Sequence, residues 1–204
     1  MRREITSEQQ LRDIVGYPAS YVANKVADRL SAIHRDWLAH SPLGFVATTD
    51  ASGRIDVSPK GDPPGFVYVI DDTTIAIPER PGNKRADGYV NVLQRPFVGT
   101  LFVVPGRGDT LRINGRAIIV ADADYFDAMA VNGKQPILSL EIAVQEVFFH
   151  CPKAFLRSDA WKPQTWEPSA LPSTAQIAQR IRSGASLAEL EEYYCESNQR
   201  KLLY

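Results

Sequence analysis

The sequence predicts a mainly β fold of the α+β class: an antiparallel barrel, closed or partly closed, with helices before it and a helical extension after it. Three observations predict this. Between Gly44 and His150, β-branched apolar runs alternate with tight-turn signals such as Asp50-Ala51-Ser52-Gly53, Asp71-Asp72 and Pro105-Gly106-Arg107-Gly108-Asp109. The helical patterns between them are short and follow no strand–helix–strand rhythm, which disfavours a doubly wound parallel sheet. The chain has 204 residues, enough for one sizeable core. We therefore expect a single domain over 1–204, with N-terminal helices over 1–42, the barrel over 43–150, and an arm with C-terminal helices over 151–204.

Each element has a local reason. Thr6 or Ser7 can cap a short first helix, because Gln9 and Gln10 stand three residues on. From Pro18, suited to a first turn, a longer helix carries Val22, Val26, Leu30, Ile33 and Trp37 at helical spacing and stops at His40-Ser41-Pro42. Gly44–Thr49 and Arg54–Ser58 form a first hairpin, and Phe66–Ile70 with Thr74–Ile77 a second. A helix from about Lys84 to Leu93 has Asn83 as its cap. Val98–Val104, Thr110–Val120 and Ile137–His150 are the remaining strands, and Asp122 can cap a short helix through Met129. In Thr110–Val120, Leu111, Ile113, Ala117 and Ile119 face one way, and Arg112, Asn114 and Arg116 the other. Beyond His150 a Pro- and Trp-rich arm leads to two short helices. Their capping boxes are Ser173 with Gln176 and Ser186 with Glu189, and Gly184 separates them.

Composition narrows the function. The 23 basic and 24 acidic residues leave a net charge of −1, which argues against a general nucleic-acid binder. The two cysteines, Cys151 and Cys195, make no disulfide framework and fit a reducing, cytoplasmic setting. The N-terminus lacks the apolar core of a signal peptide, and no apolar run approaches membrane-spanning length. No zinc-ligand spacing is present, so no metal is expected. No Gly-x-Ser-x-Gly elbow marks a nucleophile.

The chemistry-bearing segment is Arg54 to Arg116. In Ile77-Pro78-Glu79-Arg80-Pro81-Gly82-Asn83-Lys84-Arg85 a glycine and two cations stand at a helix start, where free N–H groups and the dipole favour a phosphate. A capped helix with a solvated first turn is the simpler reading. However, cations there oppose the dipole, and an anion between Lys84 and Arg85 would account for them. Just upstream, strand alternation places Arg54, Asp56, Ser58 and Lys60 on one face. Pro59 and Lys60 alone would equally suit an edge strand.

Taken together, several motifs in order resemble the pyridoxamine 5′-phosphate oxidase-like flavoproteins. They are Arg54-x-Asp56-x-Ser58-Pro59-Lys60-Gly61-Asp62, Ile77-Pro78-x-Arg80-Pro81-Gly82-Asn83-Lys84-Arg85, Asn91-Val92-Leu93, Val98 to Gly106, and Thr110 to Ala117. The segment His150-Cys151-Pro152-Lys153-Ala154 points to one subgroup of these proteins. The resemblance covers about Trp37 to Trp161. It implies a split-barrel homodimer with FMN at the subunit interface. By analogy Ser58, Pro59 and Lys60 would line the ring and ribityl region, with backbone contacts from Ile77 and Pro78. Arg80, Asn83, Lys84 and Arg85 would surround the phosphate, and Asn91 would support the pocket. Lys153, Arg157 and Trp161 match an arm that reaches the other subunit's flavin. The chain departs from the B6 oxidases proper at its C-terminus, which reads Gln199-Arg200-Lys201-Leu202-Leu203-Tyr204 instead of their Arg-Leu-x-Pro type of tail.

The expected function is an FMN-dependent oxidoreductase acting on a small molecule, with an electron donor such as NADH or NADPH. The alternatives are a non-catalytic flavin-binding or flavin-sensing protein, and a true pyridoxamine phosphate oxidase. A deazaflavin is the competing cofactor.

Overall fold

Seven strands form one antiparallel sheet in the computed structural model, which describes residues 2–181 and 184–204. They are β1 (Leu43–Thr49), β2 (Ile55–Gly61), β3 (Tyr68–Val69), β4 (Thr74–Glu79), β5 (Phe97–Val103), β6 (Thr110–Val120) and β7 (Leu138–His150). Their order across the sheet is β2-β1-β5-β6-β7-β4-β3. The sheet curls strongly. Lys60 on β2, the first strand of that order, forms an ion pair with Glu79 on β4, the sixth. The first and sixth strands thus face each other without a hydrogen-bonded ladder, as in a split barrel.

The predicted hairpins are present. The β1–β2 turn is held by Asp50, whose carboxylate accepts from the Ser52 hydroxyl at 2.7 Å and the Arg54 backbone at 2.9 Å. Those donors hold its carboxyl far below the usual carboxylate range. Inside the barrel Phe102, Ile75, Ile77, Leu111, Ile113, Ile142 and Val147 are fully buried, and Leu38 of the N-terminal helices joins the same core. Each contributes about 1.5–3 kcal/mol of apolar burial. The β6 alternation also holds, and a bulge opposite it lets Gln145 of β7 slip out of register between Gly115↔Val144 and Asn114↔Glu146. Gly115 is required there, because a Cβ would stand 2.0 Å from the Ala143 carbonyl oxygen.

Three helix predictions need correction. The long helix from Pro18 is two: α2 (Ser20–Ala23) and α3 (Ala32–His40), after α1 (Glu8–Val15). The interruption comes from the sheet. Ala27 exchanges two backbone hydrogen bonds with Val147, at 3.1 and 2.8 Å, which holds the chain extended there. The segment Asp124–Met129 is a 3-10 helix that follows Ala123 and has no side-chain cap, so Asp122 does not cap it. Among the described residues the chain closes with three helices, not two. After α4 (Asp87–Gln94) and α5 (Lys153–Arg157) come α6 (Thr174–Ile181), α7 (Leu187–Tyr194) and α8 (Glu196–Arg200). Both predicted capping boxes form at α6 and α7. Among the described residues, no helix is long and apolar enough to cross a membrane.

His34 couples helix α3 to pH. Its Nδ1 accepts from the Ser31 N–H at 3.1 Å, and its ring packs on Phe149. Burial lowers its pKa. The folded state therefore takes up the proton less readily than the unfolded one. Its contribution is complete above the ordinary imidazole value of about 6.5 and is lost as pH falls. His34→Gln keeps an acceptor at this position without titrating. Between about pH 7 and about pH 5 the urea midpoint of this variant is expected to fall less than that of the wild type. His150 titrates in both proteins, so the difference isolates His34; equal slopes would contradict the assignment.

Candidate functional site

Because β2 and β4 face each other without pairing, a cleft of about 710 Å³ opens between them, within the usual range for small-molecule sites. Alternation along β2 turns Asp56, Ser58 and Lys60 inward and leaves Ile55 and Val57 exposed. Pro59 also borders the cleft. Arg54 does not join this face as expected. It precedes the strand, and its Nε returns to Asp50 Oδ2 at 2.8 Å.

Within the cleft, the Ser58 hydroxyl donates to Asp56 Oδ2 at 2.8 Å. Lys60 is not free. Its ammonium pairs with Glu79 Oε2, the same oxygen that accepts from the Tyr89 hydroxyl at 2.8 Å, and it lies 5.0 Å from the Tyr89 ring centre. Burial, and then the neighbouring carboxylate, push the Tyr89 hydroxyl well above the ordinary phenol value.

The loop after β4 differs from its prediction in a way that matters. Helix α4 starts at Asp87, not near Lys84, and Asn83 does not cap it. Asn83 Oδ1 instead accepts from the Arg85 N–H at 3.0 Å, a local turn that competes with helix entry. Lys84 (φ 62°) and Ala86 (φ 52°) are left-handed, a conformation costing non-glycine residues about 1–3 kcal/mol each. Arg85 leans on Asp87 at 2.7 Å. Lys84 has no hydrogen bond or ion pair among the described residues, and both cations are exposed at the cleft. Gly88, in the first turn of α4, brings the helix start close to β2, since a Cβ there would stand 3.2 Å from Asp56 Oδ2.

Arg80 borders the cleft but is committed to the fold. Its Nε donates to Asp62 Oδ2 at 2.7 Å, Nη2 to the Met129 carbonyl at 2.6 Å and Nη1 to the Lys134 carbonyl at 3.4 Å. The Asp62 side chain is 2 % exposed. Its other oxygen accepts from the Tyr204 hydroxyl at 2.6 Å, and the Tyr204 ring lies 5.5 Å from the Arg80 guanidinium.

Of the residues singled out in the sequence, Ser58, Pro59, Lys60, Arg80, Asn83, Lys84 and Arg85 meet in this cleft. Ile77 and Pro78 are buried in β4 and do not border it. Asn91 stands behind the wall, where its amide donates to Thr48 Oγ1 at 3.0 Å. Lys153, Arg157 and Trp161 do not border the cleft of their own chain. Trp161 stacks on Phe155 and donates to the Arg107 carbonyl at 2.6 Å, which fastens the arm to the β5–β6 turn. Glu79, Tyr89, Asp62 and Tyr204 were missed. Glu79 carried a signal as a carboxylate next to the cationic loop, and Asp62 as the last residue of the strand motif.

Comparison with known sequences decides the family. The pyridoxamine 5′-phosphate oxidase model matches residues 30–151, more than half of the chain. The chain belongs to the pyridoxamine 5′-phosphate oxidase family. The match spans β1 to β7 and ends at the start of the arm. No curated protein matches the sequence. Among solved structures the chain is similar to HupZ from Group A Streptococcus, at 22% identity and TM-score 0.48, covering 59% of this chain and 93% of that one. It is also similar to General Stress Protein 26 from Bacillus anthracis, at 13% identity and TM-score 0.43, covering 56% and 88%. A third is HutZ, the heme storage protein from Vibrio cholerae, at 15% identity and TM-score 0.39, covering 60% and 94%.

Proposed function

We propose that this protein is an FMN-dependent oxidoreductase acting on a small molecule. The observation that carries the reading is Lys84. It is a cation without a partner among the described residues, held in a left-handed conformation at the rim of a mononucleotide-sized cleft. Together with Arg85 it suits the phosphate, and the strain is offset when the anion binds. Asn83 shapes the turn that presents them, and Arg80 anchors it. Ser58, Pro59 and Lys60 line the remainder, while Asn91 fixes the wall through Thr48. FMN supplies the hydride or electron transfer itself, and the chain contributes binding, orientation and charge.

A homodimer with the cofactor at the subunit interface fits the exposed apolar side chains of β2, Ile55 at 76 % and Val57 at 58 %. In that arrangement Lys153, Arg157 and Trp161 serve the cleft of the opposite subunit, since they stay away from their own. The His150 to Ala154 segment supports membership of the corresponding subgroup. Both cysteines are free, in keeping with the cytoplasm.

The test is turnover. The FMN-loaded protein is expected to oxidise NADH or NADPH with a common electron acceptor, and to form no hydrogen peroxide from pyridoxamine phosphate. Firm FMN binding without any turnover would point instead to a flavin-binding protein; peroxide from pyridoxamine phosphate would make it a B6 oxidase.

A further inference from the structure

The cleft is lined by cations in sequence but not in effect. Arg80 is paired with Asp62, Arg85 with Asp87, and Lys60 with Glu79, which leaves Lys84 as the lining cation without a carboxylate partner among the described residues. The Lys60–Glu79 pair stands apart from the others. It bridges the two facing strands inside the cleft, with side chains only 16% and 24% exposed, and Tyr89 holds the carboxylate from a second direction. A charge there is screened less than one at the surface. An unpartnered Lys60 would make the whole cleft attract anions; a paired one leaves the attraction at the Lys84 end.

We propose that Glu79 is a specificity-determining residue of this cleft. By cancelling Lys60 it confines anion binding to the Lys84 loop and fits the Lys60 end to an uncharged, hydrogen-bonding ring edge instead of a second phosphate or carboxylate. This gives the cleft a polarity, and a bound mononucleotide one orientation. Tyr89 is the positioning residue, since its hydroxyl reaches only the Glu79 oxygen that also holds Lys60. The assignment of the ring to this end rests on the flavin reading; the charge cancellation does not.

The experiment compares the wild type, Glu79→Gln, Lys60→Met and the double variant, all close in size to the native side chains. In the ligand-free proteins, calorimetric titration with inorganic pyrophosphate is expected to show Glu79→Gln binding about tenfold tighter or more than the wild type. The double variant should return towards wild-type affinity. In the FMN-loaded proteins, the midpoint potential should move positive in Glu79→Gln, negative in Lys60→Met, and back towards the wild type when the two are combined. Unchanged pyrophosphate affinity in Glu79→Gln overturns the proposal, as do potentials that shift in the same direction in both single variants. If the wild type takes up no FMN, the flavin reading falls and the pyrophosphate titration alone decides the role of Glu79.

Discussion

Replacing Arg80 with alanine is expected to lower the stability of the folded chain by about 3–5 kcal/mol, the usual cost of removing one partner of a buried ion pair. Asp62 would be left almost fully buried with only the Tyr204 hydroxyl, and the Met129 carbonyl would lose the Arg80 donor, while the Lys134 carbonyl would keep the Val131 N–H. Arg80→Lys should be intermediate. It restores the charge, but an ammonium cannot reproduce the planar fork that serves three acceptors at once. Urea unfolding of the ligand-free protein measures this directly. A midpoint close to wild type for Arg80→Ala would mean that the junction of β2, the cleft loop and the Tyr204 segment does not hold the fold together.

The charge-reversed pair Lys84→Glu and Arg85→Glu is expected to do the opposite: little to stability and much to binding. Both side chains are exposed, and the Arg85–Asp87 contact is a surface ion pair of small worth. Losing two charge-assisted contacts to a phosphate should weaken FMN binding by about two to four decades. Fluorescence titration of FMN reads the affinity, and unfolding of the ligand-free variant supplies the control. Retained stoichiometric flavin in the double variant would remove the loop from the site. The contrast with Arg80 is informative, because the sequence presents three cations of one loop as equals. The fold divides them into a buried anchor and two exposed cations at the cleft.

That division shows where sequence reasoning stopped. Strands, turns and caps written in neighbouring residues were legible, including the Asp50 turn, the inward face of Asp56, Ser58 and Lys60, and the capping boxes at Ser173 and Ser186. The broken N-terminal helix was not, because its cause is a pairing of Ala27 with Val147, far away in the chain. The start of α4 was misplaced because Asn83 suits a helix cap and a local turn equally well, and left-handed backbone at Lys84 and Ala86 cannot be read from their side chains. The partners of Lys60 and Arg80 depend on how far the barrel closes. Glu79 is 19 residues from Lys60, and Tyr204 is 142 from Asp62, so only the folded geometry puts them in contact. Lys60 carries a compensated charge for that reason.

The most direct test of the central reading is the visible absorption spectrum of the purified, untagged protein, with mass analysis of whatever heat releases from it. A yellow protein that releases stoichiometric FMN is the predicted result. A colourless protein that also fails to take up added FMN would contradict the cofactor assignment and move a deazaflavin to the front.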